Sequence, residues 1–146
     1  MEPGGSPPPV PAAAGIGWIL VCDDTASIRL LMRINFELAG FEVLEAADGS
    51  VGLELLRRNR DRLPAVVILD AQMSPLDGWG AVTAIREDPA LAQLPIIMVT
   101  ASLQQQERER SVAAGVDAFV DKPFEPAELV DLVSELARSG RPPASP

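Results

Sequence analysis

The residues of this 146-residue chain that could do chemistry are a few acids, one hydroxyl and one lysine, placed at the ends of apolar runs. Asp23-Asp24 follows Trp18-Ile19-Leu20-Val21-Cys22. Asp70 follows Ala65-Val66-Val67-Ile68-Leu69, and Thr100 follows Pro95-Ile96-Ile97-Met98-Val99. Lys122 is the only lysine and stands directly before Pro123, while arginine meets every other need for positive charge. A lone lysine suggests a task for a compact ammonium rather than a planar fork. Acids, a hydroxyl and an ammonium are the parts of a metal-assisted phosphoryl-transfer site.

Those residues must be positioned by elements that the pattern predicts. Apolar runs at 18–22, 65–69, 95–99 and 118–120 read as strands covered on both faces, and the alternating run 41–46 as a strand less buried on one face. Helices are predicted between them. Ser27 is the expected cap of the first, which carries Ile28, Leu31, Met32 and Phe36 at helical spacing and stops at Gly40. Asp48 opens the second, 79–86 form the third, 104–114 the fourth up to Gly115, and 126–137 the fifth, with Pro126 at a first helical position. Strict alternation of five strands and five helices predicts an α/β fold: a doubly wound, parallel five-stranded sheet with helices on both faces, flavodoxin-like.

Residues 1–17, rich in proline, glycine and alanine, read as a flexible arm, and 139–146 as a matching tail. The folded domain is expected over 18–138. The run Val10 to Cys22 is not a secretory signal, because no basic residue precedes it and no cleavage site follows. A net charge of −9 argues against a nucleic-acid surface and against an anionic membrane as partner. Histidine is absent, which excludes histidine triads, histidine zinc sites and a phosphohistidine on this chain. Cys22 is expected to be a packed core thiol, and one cysteine without an internal disulfide suits a cytoplasmic protein.

In doubly wound sheets, ligands bind beyond the carboxyl ends of the strands. Asp23, Asp24, Asp70, Thr100 and Lys122 therefore converge on one rim, with Asp70 central. Crowded carboxylates repel, and a hard divalent cation with oxygen ligands would relieve them: Mg²⁺, with Mn²⁺ as a substitute. Asp70 can then act as a carboxylate nucleophile toward a phosphoryl group, with Lys122 and Thr100 on the phosphoryl oxygens.

In Val21-Cys22-Asp23-Asp24, Asp70 through Gly78, Pro95 through Ala101 and Lys122-Pro123-Phe124, the chain resembles the receiver domains of two-component response regulators, in particular the single-domain chemotaxis type. The resemblance implies that Asp70 is the phosphoacceptor, served by a sensor histidine kinase or a histidine phosphotransfer protein. It implies that Asp24, Asp70 and the main-chain carbonyl of Gln72 bind the metal directly, with Asp23 acting largely through water. It implies a cis bond at Lys122–Pro123 and a switch pair, Thr100 and Phe119, that remodels the face made by the helix at 104–114, the fifth strand and the helix at 126–137. A downstream protein target reads that face. The chain is expected to be monomeric or a weak phosphorylation-dependent dimer, and no enzyme beyond its own phosphorylation and dephosphorylation.

Two departures stand out. Ser74 intervenes between Met73 and Pro75, where the family usually has proline directly, and Phe119 stands where tyrosine is common. Other readings remain beside the switch. The chain could be a module of a larger protein, although its initiating methionine and two arms favour a free-standing one. It could be a Mg²⁺-dependent aspartyl-nucleophile phosphatase, although Asp70-Ala71-Gln72 lacks the second aspartate such enzymes use as general acid. A degenerate receiver is disfavoured by the complete residue set. Asp23-Asp24 could also simply cap a helix, although Thr25 and Ser27 could do so instead, and Phe119 could simply be core.

Overall fold

The computed structural model describes residues 17–101 and 115–141. Its elements are β1 (Trp18–Cys22), α1 (Ala26–Leu38), β2 (Glu42–Ala46), α2 (Gly49–Arg58), β3 (Val66–Asp70), α3 (Gly78–Glu87), β4 (Ile96–Thr100), β5 (Ala118–Asp121) and α4 (Pro126–Ser139). The helix expected at 104–114 and the arm before Gly17 lie outside the described residues.

All five strands are parallel, in the order β2-β1-β3-β4-β5. The continuous apolar runs arise because each strand feeds two cores at once. Ile19 and Val21 point into one cluster with Met32, Phe36 and Val133, closed by α1 and α4. Leu20 and Cys22 point into the other with Leu56, Val82 and Ile85, closed by α2 and α3. Side chains alternate across a strand, so a strand buried on both faces has no polar position to spare. Each large side chain buried in this way contributes about 1.5–3 kcal/mol. Cys22 is buried there as a small apolar group; burial first, then the charges of Asp48 and Asp23, push its thiol pKa far up, so it is inert packing.

Local signals set most element ends. Asp48 caps α2 by accepting from Ser50 and Val51 amides. Asp77 caps α3 through the Gly80 amide. Pro126 opens α4, and Gly40 takes φ 103° after α1, a conformation that favours glycine. The expected cap at Ser27 is corrected: the helix starts at Ala26, Thr25 is its N-cap, and no side chain caps it. The Asp23 carboxylate instead accepts from the Thr25 amide at 2.8 Å, which turns the chain into the helix one step earlier.

At the amino end of the sheet, Arg86 of α3 reaches the carbonyls of Ala92, Leu94 and Gly115 and the carboxylate of Asp117. Asp117 also accepts from the Ile96 amide and from Arg141. The last helix thus runs through Ser139, and Arg141 beyond it is bonded back to the body.

Candidate functional site

Parallel strands deliver their carboxyl ends to one rim, and the register sets the spacing there. Asp70 is the last residue of central β3 and pairs with Val99; Thr100 is the last of β4 and pairs with Asp121. The Lys122 amide donates to the Thr100 carbonyl at 2.8 Å, which carries Lys122 over the top of β4 toward Asp70. On the other side the Asp23 amide donates to the Ala46 carbonyl at 3.1 Å, extending the β1–β2 ladder by one bond.

The side chains meet as follows. Carboxylate oxygens of Asp23, Asp24 and Asp70 lie within 4.8 Å of one another. Lys122 Nζ stands 3.0 Å from Asp23 Oδ2 and 3.3 Å from Asp70 Oδ2. The Gln72 amide donates to Asp70 Oδ1 at 3.2 Å. Asp23 and Asp70 are buried, whereas Asp24 is exposed and, among the described residues, accepts from the Thr25 hydroxyl at 3.4 Å. Thr100 is buried at the strand end. Phe119 is half-buried on β5 and packs on the cluster that holds Trp79 and Met98. It also lines a cavity of about 350 Å³ with Pro123, Phe124 and Leu129. A second hollow, lined by Asp24, Gln72, Met73, Ser74 and Trp79, opens beside the acids. The sequence therefore brought Asp23, Asp24, Asp70 and Lys122 into one cluster, with Thr100 beside it and Phe119 farther along β5.

The electrostatics are unbalanced. Burial, and then the Asp23 charge, raise the Asp70 carboxyl above its ordinary value, against the Gln72 amide and Lys122. Burial works to lower Lys122, but the Asp23 contact and the charges of both acids outweigh it and hold the ammonium firmly protonated. Asp23 Oδ2 is buried and accepts no well-aligned hydrogen bond among the described residues, so only the nearby ammonium compensates it. Three carboxylates offering oxygen donors, with one ammonium set against them, are the donor set of a hard cation, and Mg²⁺ fits it.

Two local features hold the loop after Asp70. Gly78 packs so closely that a Cβ there would collide with the Asp70 carbonyl and lie 2.8 Å from Met98 Sδ. The Gly49 amide donates to the Leu76 carbonyl at 2.9 Å, docking the loop on α2. Both Ser74–Pro75 and Lys122–Pro123 are cis. The second matches the expectation from family resemblance; the first falls where Ser74 displaces the proline by one position, and no cis bond was expected there.

Comparison with known proteins decides the family. The model of the response regulator receiver domain matches residues 19–134. The chain belongs to that family. Among curated relatives, the "Probable transcriptional regulator ycf27" of Guillardia theta is 40% identical over 120 residues, 82% of this chain and 45% of the relative. The phosphate regulon transcriptional regulatory protein PhoB of Rhizobium meliloti is 36% identical over 124 residues, 85% of this chain and 53% of the relative. The chain spans about half the length of such relatives. Among solved structures, the chemotaxis response regulator CheY4 of Vibrio cholerae superposes with a TM-score of 0.75 at 29% identity, covering 82% of this chain and 98% of that one. The receiver domain of the Francisella response regulator 1452 gives 0.77 at 27%, covering 84% and 97%. This receiver domain has the fold expected, and its family places it in phosphorylation-dependent signalling. No helix among the described residues is long and apolar enough to cross a membrane.

Proposed function

We propose that residues 18–138 form a phosphorylation-controlled switch whose phosphoacceptor is Asp70. The observation that carries this is the single ammonium of Lys122 set between Asp23 and Asp70 at the centre of the rim. One Asp70 oxygen attacks the phosphorus of a phosphohistidine on a sensor kinase or phosphotransfer protein. The new O–P bond forms as the N–P bond breaks, and the donor imidazole leaves with that electron pair. The Lys122 ammonium, already 3.3 Å from Asp70 Oδ2, shifts to an incoming phosphoryl oxygen. Mg²⁺, held by Asp24, Asp70 and the Gln72 carbonyl with Asp23 behind them, would neutralise charge on the phosphoryl oxygens. Thr100 bonds the phosphoryl group only after transfer, and Phe119 follows it. Ligands shift such a switch only by their differential affinity for its two states.

The donor protein has a natural seat. Helix α1 begins two residues after Asp24 and exposes Leu30, Leu31, Ile34 and Leu38. Apolar side chains grouped on one helix beside a reaction centre suit docking of another protein. The output is likewise a protein contact, made by the face around β5 and α4. The chain acts in the cytoplasm as a monomer or weak phosphorylation-dependent dimer, and catalyses nothing beyond its own phosphorylation and dephosphorylation. Relatives named as transcriptional regulators are about twice its length, so an effect on transcription would run through a partner or a further part of the protein rather than through this acidic surface.

The test is incubation with Mg²⁺ and acetyl phosphate, read by intact mass and site mapping. Wild type gains one phosphoryl group, lost in Asp70→Asn and in excess chelator. Stable label on Asp23 or Asp24 in wild type overturns the assignment.

A further inference from the structure

Arginine 29 makes a contact that the phosphoryl-transfer reading does not use. Its Nη1–H donates to the main-chain carbonyl of Asp23 at 2.6 Å, and its Nε–H donates to Glu45 Oε1 at 3.0 Å. The second oxygen of Glu45 accepts from Arg33 Nε at 2.6 Å, and Arg33 also holds Glu37 at 2.9 Å. Glu45 sits on β2 next to Ala46, whose carbonyl accepts the Asp23 amide. The backbone of Asp23 is therefore fixed twice, through its N–H by β2 and through its C=O by a guanidinium that β2 itself orients.

That carbonyl belongs to the peptide plane joining Asp23 to Asp24. The Asp23 side chain has its own anchors in the Thr25 amide and Lys122. The Asp24 side chain is exposed, with one long contact to Thr25, so its direction depends on the backbone plane beneath it. We propose that Arg29, oriented by Glu45, is a positioning residue for the metal site: it locks the Asp23–Asp24 peptide and so aims the Asp24 carboxylate at the cation shared with Asp23 and Asp70. The inference rests on the metal reading given above. It requires arginine, because two hydrogen bonds in different directions need a fork that lysine does not offer. Arg29 is shielded enough for the contacts to persist, with its side chain 19% exposed. Burial would raise the Glu45 carboxyl, yet the bonds from Arg33 and Arg29 bring it below its ordinary value, which keeps the orienting group ionised.

The experiment is a Mg²⁺ titration of the metal-free chain by NMR, following the Thr25 and Gln72 amides that donate to Asp23 and Asp70. Groups that orient metal ligands typically cost about 10-fold or more in affinity when removed. Arg29→Ala is expected to raise the half-saturating Mg²⁺ concentration about tenfold, and Arg29→Lys not to restore it. Glu45→Gln is expected to give a smaller rise in the same direction and carries the test alone should Arg29→Ala fail to fold. At saturating Mg²⁺, the rate of labelling by acetyl phosphate should return to the wild-type value in both variants, which a general loss of structure would not allow. Glu54→Gln, which removes an exposed ion pair on α2, is the control and should leave the titration unchanged. A wild type that binds and an Arg29→Ala variant that binds within about twofold of it overturn the inference alone, since that is far below the effect expected of an orienting group. A wild type whose amides ignore Mg²⁺ overturns the metal reading, and this inference with it.

Discussion

At the carboxyl end of the sheet three carboxylates face one ammonium; at the amino end one carboxylate, Asp117, lies between two guanidiniums. The amino end closes its account. Asp117 Oδ2 takes Arg86 and the Ile96 amide, Oδ1 takes Arg141, and Arg86 directs its other donors at three carbonyls. The carboxyl end stays open: among the described residues Asp23 Oδ2 has only the Lys122 ammonium against it, and the Asp70 carboxyl is held above its ordinary value. The same fold thus spends one charged cluster on joining elements and keeps the other short of positive charge. Such a deficit leaves room for a cation, and perturbed carboxylates are a mark of functional sites.

The comparison breaks most sharply at Asp117. Its side chain is 5% exposed, and removing one partner from a buried pair leaves the other charge uncompensated. Asp117→Ala is expected to cost about 3 kcal/mol in urea unfolding. Mg²⁺ affinity at the far rim should stay within the error of the measurement. A large fall in Mg²⁺ affinity with folding intact would mean that the two ends are not separable.

Gly78→Ala reverses the pattern. The added methyl meets the Asp70 carbonyl and Met98 Sδ, so β3 or the loop must shift. Overpacking of this kind costs about 2 kcal/mol, less than Asp117→Ala, yet here phosphorylation by acetyl phosphate should slow as well. An alanine variant with wild-type labelling would show that the close approach does not set the Asp70 geometry.

The contrast also marks what the sequence made legible. Asp23, Asp24, Asp70, Thr100 and Lys122 could be placed because each ends or follows an apolar run, and parallel topology turns run ends into neighbours. Asp70 and Thr100 do end their strands, as expected; what moved is the other end, since β3 and β4 begin at Val66 and Ile96, one residue after the apolar runs at 65–69 and 95–99 begin. The Arg86–Asp117–Arg141 cluster left no such trace. Its members are 31 and 24 residues apart and obey no local period, so only the folded chain brings them together. The same is true of Arg29 and Glu45, 16 residues apart on different elements. Ser27 misled for a different reason: a local capping rule lost to the Asp23 carboxylate, which turned the chain first.

Removing the cation from the crowded rim sharpens the comparison further. Lys122→Ala leaves Asp23 Oδ2 buried with no compensating charge. The metal-free variant is expected to lose about 1–2 kcal/mol, because a buried carboxylate loses its nearby charge, discounted from the fully buried case because the Lys122 side chain is 20% exposed. Mg²⁺ should restore most of it, because the cation supplies the missing charge. Lys122→Arg should recover stability but not phosphorylation-dependent switching, as a longer planar group replaces a point charge. A Lys122→Ala chain as stable as wild type in chelator would mean that water already satisfies Asp23.

The smallest effect has the opposite sign and reports the charge deficit directly. The Asp70 carboxyl is raised mainly by burial and secondly by Asp23. A raised acid contributes stability that is fully present below its unfolded value, about 3.9, and lost as pH rises through its folded value. At pH 7 without metal, ionised Asp70 therefore costs stability. Asp70→Asn keeps an oxygen for the Gln72 amide and drops the charge, so it should gain on the order of 1 kcal/mol at pH 7 in chelator. The gain should shrink as pH falls toward 4, where the wild-type carboxyl takes up its proton and becomes neutral like the amide. Mg²⁺ should shrink it too, since the metal stabilises only the ionised wild type. Thermal unfolding of both chains at a series of pH values, with and without Mg²⁺, measures all three. If the gain does not change between pH 7 and pH 4, it comes from packing, and the rim is not short of positive charge.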